Sequence, residues 1–114
     1  MNNYYITAIV LDNCVYSNNL VKLLNTCKFN HKIITVYNNN KHLYKTNQIQ
    51  LFPQIYLNKY NSKGNLLLGG YTEFKNIYDK LKNNKLDINY NEYLINKYGW
   101  SKKIILRLYQ LINT

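Results

Sequence analysis

The residues best suited to chemistry are Cys14-Val15-Tyr16-Ser17, which follow the apolar run Tyr5-Ile-Thr-Ala-Ile-Val-Leu11 and precede a helix-patterned stretch, Leu20 to Cys27. A cysteine between the end of a strand and the first turn of a helix meets unpaired backbone N–H groups and the positive end of the helix dipole. Both favour a thiolate, the nucleophilic form of the side chain. A free cysteine is equally a small buried hydrophobe, so the position alone decides nothing. Two further groups bear on it. Phe52-Pro53-Gln54-Ile55-Tyr56 holds the chain's only proline, between a loop and a strand, where a cis X-Pro bond is a candidate and an ordinary strand-opening proline the plain alternative. In Gly69-Gly70-Tyr71-Thr72-Glu73-Phe74, the glycines permit close backbone approach and the N–H groups of the helix that follows suit a carboxylate. Glu73 can in addition pair with an ammonium. The plain alternative is a turn and a capped helix start.

The elements that must position these groups read in the order β-α-β-α-β-β-α. Residues 4–11 predict a buried strand. A helix is expected from Val15 to Lys28, with Leu20, Val21, Leu24 and Cys27 on one face. Lys32 to Tyr37 predicts a second strand, Asn38 to Asn40 a turn, and 41–48 a short helix. Gln54 to Asn58 and Leu66 to Leu68 predict two strands joined by a hairpin turn at 61–65. Thr72 is expected to cap a helix over 73–83. This alternation followed by a hairpin predicts an α/β domain with a four-stranded mixed sheet and helices on both faces, its first two strands parallel through a crossover helix.

The chain has 114 residues, enough for one core. Fifteen Lys+Arg against five Asp+Glu give a formal charge of +10, and Arg107 is the only arginine. The lysines are scattered, with no run longer than Lys102-Lys103, so a solvated basic surface is expected, with steering of small anions as a secondary role. Nucleic-acid binding is not expected, because no basic-aromatic motif is localised among the thirteen tyrosines. Two cysteines make neither a disulfide framework nor a metal motif. The first residues lack the features of a signal peptide and no apolar stretch approaches the ~20 residues of a membrane span. A reducing, cytoplasmic setting is the expectation.

With these residues in place, the chain resembles a glutaredoxin, a family with the thioredoxin-like fold. Cys14-Val-Tyr-Ser17 is similar to the family's Cys-Pro-Tyr-Cys or Cys-x-x-Ser, Leu51-Phe52-Pro53-Gln54-Ile55-Tyr56 to its Thr-Val-Pro-Gln-Val-Phe segment with a cis proline, and Gly69-Gly70-Tyr71-Thr72-Glu73-Phe74 to its Gly-Gly-x-x-Asp-Leu. The resemblance covers roughly residues 4–84. It implies that Cys14 is the nucleophile and that glutathione is the co-substrate. Tyr16 and Ser17 would flank the thiol, Phe52 and Pro53 would pair with the glutathione backbone, and Gly70, Tyr71, Thr72 and Glu73 would hold its γ-glutamyl end. The sequence departs from the family in two places. The family's lysine before the cysteine is replaced by Leu11, followed by Asp12, which should raise the thiol pKa. The cation before the proline segment falls near Gln50, which is neutral. Lys45 is a candidate to compensate.

Ser17 stands where dithiol members have a second cysteine. Cys27 lies thirteen residues along the expected helix, ~20 Å away, whereas a disulfide needs Cα atoms within about 7 Å, so it is assigned a structural role. The expected activity is therefore monothiol, glutathione-dependent thiol-disulfide exchange, with glutathione and glutathionylated thiols as partners. Two alternatives stand beside it. Similar Cys-Gly-Phe-Ser proteins hold a [2Fe–2S] cluster between two subunits with bound glutathione, and Cys14 could ligate one. The domain could also be a degenerate, non-enzymatic binding module. Residues 85–114 lie outside the resemblance. Tyr90 to Tyr98 predict a helix ending at Gly99, and after Trp100 the residues Ile104, Ile105, Leu108, Leu111 and Ile112 form an apolar stripe. This extension is expected to pack on the domain, with a homodimer, a protein partner or a membrane surface as the alternatives.

Overall fold

The computed structural model describes residues 3–83 and 87–114. Its elements in chain order are β1 (Tyr4–Leu11), α1 (Val15–Asn25), β2 (His31–Val36), a 3-10 turn (Lys41–Tyr44), β3 (Gln54–Lys59), β4 (Asn65–Gly69), α2 (Tyr71–Asn83), α3 (Ile88–Tyr98) and α4 (Lys102–Ile112). The strands form one mixed sheet in the order β2-β1-β3-β4. β1 runs parallel to β2, with Ala8 opposite Ile33, and antiparallel to β3, with Ala8 opposite Ile55. β3 and β4 are antiparallel, with an irregularity between Ile55 and Tyr56. The crossover through α1 makes the first strand pair parallel, as expected.

Side chains alternate in burial along β1: Tyr4, Ile6, Ala8 and Val10 are buried, and the residues between them half-buried. The buried set faces one hydrophobic cluster together with Ile55 and Leu57 of β3. All four α-helices contribute to that same cluster, through Leu20 and Leu24, Phe74, Ile77 and Leu81, Leu94, and Ile105, Leu108, Leu111 and Ile112. The expectation of helices on both faces is thus corrected. The opposite face is closed only near the C-terminal end of β1, where Val36, Gln54 and Tyr56 are buried and Gln54 Nε2 donates to the Tyr44 carbonyl at 2.9 Å. The expected helix over 41–48 is a single turn, because Thr46 Oγ1 accepts from the N–H groups of Gln48 and Ile49 and draws them out of a helical ladder.

Two other boundaries move for local reasons. α1 ends at Asn25, three residues before Lys28: the N–H groups of Thr26 and Cys27 reach back only three residues, to the carbonyls of Leu23 and Leu24, and the Thr26 hydroxyl also bonds to Leu23 O at 2.7 Å. α2 begins at Tyr71, so Thr72 lies inside its first turn and is not its cap. Phe74 N donates to Gly70 O at 3.0 Å, which makes Gly70 the flanking residue. Trp100, Ile105, Leu108, Leu111 and Ile112 lie inside the common cluster, and Ile104 packs against it. The extension's helices have clear boundaries: at their starts Asp87 accepts from Asn89 N and Ser101 from Ile104 N, and at the end of α3 Gly99 takes a left-handed φ of 72°. No helix among the described residues is long and apolar enough to cross a membrane.

Candidate functional site

β1 delivers the chain to the thiol through a tight turn. Asn13 is left-handed at φ 60°, a conformation asparagine tolerates better than most residues, and Asp12 N donates to Val36 O at 2.9 Å. Cys14 is then extended at φ −106° and ψ 126°, and its carbonyl accepts the first helical bond from Asn18 N at 2.8 Å. It is the flanking residue of α1, as the sequence predicted. Val15 and Tyr16 beside it are exposed, whereas Ser17 turns inward and is buried. The Ser17 hydroxyl accepts from Leu11 N at 3.0 Å, tying the end of β1 to the first turn of α1. Its proton stays available to the sulfur.

The thiol is acidified. Desolvation, the largest single influence, raises its pKa, but the Ser17 N–H, the Ser17 hydroxyl and the Tyr16 N–H together outweigh it, and the pKa falls below the ordinary thiol value. The neutral thiol makes no side-chain cap bond to the helix. The same amides favour the thiolate because a full negative charge rewards looser N–H contacts than a weak sulfur acceptor does. No cation contributes to this shift, so the expected compensation by Lys45 is not what acidifies Cys14. Hydrogen bonds at the start of the helix do that work, despite Leu11 and Asp12 upstream.

Across from the thiol lies the proline segment. The Phe52–Pro53 peptide is cis, and Cys14 Sγ lies 3.9 Å from the Phe52 carbonyl oxygen. The glycine segment adjoins the other side of Pro53. A methyl group on Gly70 would sit 3.7 Å from the Pro53 carbonyl oxygen and 3.8 Å from both carboxylate oxygens of Glu73. Gly69, at φ 121°, leaves room for Glu73, whose Cβ would lie only 2.8 Å from a methyl group there. The Tyr16 and Tyr71 rings, with centroids 6.3 Å apart, join α1 to α2 on the outside. Seven predicted residues therefore lie together: Cys14 against Phe52, Pro53 against Gly70, Glu73 beside Gly70, and Tyr71, the chain neighbour of Gly70, near Tyr16. Ser17 stands beneath the sulfur. Thr72 is exposed on the first turn of α2, and Gln50 is exposed on the loop before Leu51.

One supporting residue escaped the sequence reading. Gln54 is fully buried next to Pro53, giving Nε2 to Tyr44 O and accepting from Tyr56 Oη at 3.2 Å. It thereby anchors the loop that carries Phe52. A polar side chain directly between Pro53 and the apolar Ile55-Tyr56-Leu57 was the available signal. Cys27 lies just past α1, half-buried. Its Sγ donates to Leu23 O at 3.3 Å and lies 3.7 Å from Tyr78 Oη. Burial, and secondarily Cys27, push the Tyr78 pKa up to about 12, so the phenol stays neutral. Both cysteines are free thiols. Among the described residues no three metal-ligating side chains gather in one place.

The arrangement can present a thiolate beside open backbone, with a carboxylate and two tyrosines at its border. Comparison with protein-family models, with curated proteins and with solved structures finds no match for this chain.

Proposed function

We propose that this chain is a thioredoxin-like domain of the glutaredoxin type that reduces glutathione mixed disulfides by a monothiol mechanism. The observation that carries this reading is the juxtaposition at Cys14: a thiol acidified by the first turn of α1, 3.9 Å from the Phe52 carbonyl, with Gly70 and Glu73 on the far side of Pro53. The sheet order and the mixed parallel and antiparallel pairing are compatible with that fold.

In this mechanism the Cys14 thiolate attacks the glutathione sulfur of a mixed disulfide. The S–S bond breaks, a Cys14–glutathione disulfide forms, and the substrate thiolate leaves and takes a proton from water. A second glutathione thiolate then attacks the glutathione sulfur bound to Cys14, which releases oxidised glutathione and restores the thiolate. Atoms and electrons balance across the cycle: the substrate sulfur is reduced to a thiol, and the entering glutathione thiol is oxidised into the disulfide that leaves. The Ser17 hydroxyl and the first-turn amides hold the leaving Cys14 charge in the second step. The Phe52 backbone pairs with the glutathione backbone, and the Gly70–Glu73 turn receives the γ-glutamyl carboxylate and ammonium.

The test is glutathione-coupled reduction of a small glutathionylated disulfide by the wild type, Cys14→Ser and Cys27→Ser. Activity should fall to background in Cys14→Ser and persist in Cys27→Ser. A folded wild type with no activity overturns the proposal.

A further inference from the structure

At the end of the sheet opposite the thiol, a cleft of ≈ 620 Å³ opens between the start of β1, the end of β3 and one side of α4. That volume falls in the range of ~300–1,000 Å³ typical of small-molecule sites. β1 has eight residues, which at ~3.3 Å each separates the two ends by ~25 Å, so the cleft is independent of the Cys14 chemistry. Its side-chain charge is one-sided. Lys59, Lys103 and Arg107 line it, and no acidic side chain does. The five acidic residues of the chain, Asp12, Glu73, Asp79, Asp87 and Glu92, all lie elsewhere. Among the described residues, none of the three cations has a carboxylate partner.

The helix supplies part of this wall by its period. Lys103, Arg107 and Gln110 recur at spacings of four and three, which sets them on one side of α4, beside the buried stripe, and Thr114 follows just past its end. Arg107 is the chain's single arginine among fourteen lysines, and it is half-buried. Its Nη1 donates to Gln110 Oε1 at 3.0 Å, which orients the planar guanidinium and leaves most of its five donors for a ligand. On the opposite wall Lys59 Nζ sits 6.0 Å over the ring of Tyr4, a buried residue, so this ammonium is held over a rigid floor. Asn3 adds a neutral donor at the rim.

Three cations left together with no acidic side chain repel one another, and a multivalent anion removes that repulsion. We infer that this cleft binds a small polyphosphate-bearing molecule, with Arg107 gripping one phosphate through paired N–H donors and Lys59 and Lys103 neutralising the others. Phosphate suits it because the guanidinium fork matches two oxygens of one phosphate group, and successive phosphates carry the charge needed to meet three cations.

Inorganic tripolyphosphate is the probe, titrated calorimetrically into the full chain in 150 mM salt, with a twelve-nucleotide single-stranded RNA titrated in parallel. Tripolyphosphate should bind saturably at one site. Binding should weaken at least about tenfold in Lys103→Ala/Arg107→Ala and change less than about twofold in Lys22→Ala/Lys32→Ala, which removes the same charge from exposed positions on α1 and β2. If Arg107→Ala fails to fold, Lys59→Ala and the charge-preserving Arg107→Lys carry the test, each expected to weaken binding by about threefold or more. Absence of saturable binding overturns the inference, as does equal weakening in both double variants. RNA binding that depends on the cleft while tripolyphosphate does not bind overturns it too, and makes the surface a nucleic-acid site instead.

Discussion

At the scale of single residues, Ser17 has two duties that the sequence shows only as one. Its oxygen accepts from Leu11 N, and its proton and backbone N–H favour the Cys14 thiolate. The sign of the resulting pH dependence follows directly. A thiol whose pKa is lowered stays ionised further into acid, so alkylation of Cys14 by iodoacetamide should hold its rate to lower pH than alkylation of a free cysteine does. The rate should fall as pH drops through an inflection below that of a free cysteine measured alongside. In Ser17→Ala the serine N–H remains but the hydroxyl is gone, and the inflection should move upward. Alkylation rates measured from pH 5 to 10 on both proteins check this. An unmoved inflection assigns the hydroxyl to structure alone.

At the scale of elements, the strands were the most legible part of the chain. β1 was bounded correctly because its apolar run stops at Asp12, and the start of β3 because Pro53 opens it, although the strand runs one residue past Asn58, to Lys59. The helix ends were misplaced where side chains compete with the backbone ladder, at Thr26 and Thr46, since hydroxyls accept or donate without changing the hydrophobic pattern. Thr72 was read as a cap on residue type alone, although Gly69-Gly70 turns the chain one step sooner. Of the site, Cys14, the proline segment and the glycine segment were legible as motifs, and their meeting was legible only through a resemblance. The role of Gln54 was hidden because its partner Tyr44 belongs to an irregular segment. The two left-handed glycines allow a direct comparison. Gly69→Ala combines φ 121° with a 2.8 Å approach to Glu73 Cβ and should cost of the order of 3 kcal/mol. Gly99→Ala meets nothing within 4 Å at φ 72° and should cost about 1 kcal/mol. Urea denaturation of the two variants tests the order.

At the scale of the whole molecule, the last two helices are part of the core. Leu108 is fully buried in the same cluster as Ile6, Leu24 and Phe74. Leu108→Ala should therefore destabilise the whole domain by about 2–5 kcal/mol, with one cooperative transition by both fluorescence and far-ultraviolet dichroism. A first transition confined to α4 would show instead that the helix is an independent appendage. The net charge of +10 is distributed unevenly around this core: the carboxylates Asp12 and Glu73 sit toward the thiol end, and the cations of the α4 cleft lie at the other.

The common cluster also has a consequence in time. Ile6 and Ile112, about a hundred residues apart in sequence, belong to it together. At a synthesis rate of ~5–20 residues per second, β1 leaves the ribosome about 5–20 s before α4. Throughout that interval the apolar face of the sheet lacks one of its covering helices, so the nascent chain is a natural client for a holdase and a target for proteases. Its vulnerability during synthesis is set by the distance along the chain between the first strand and the last helix, and the finished fold shows no trace of it.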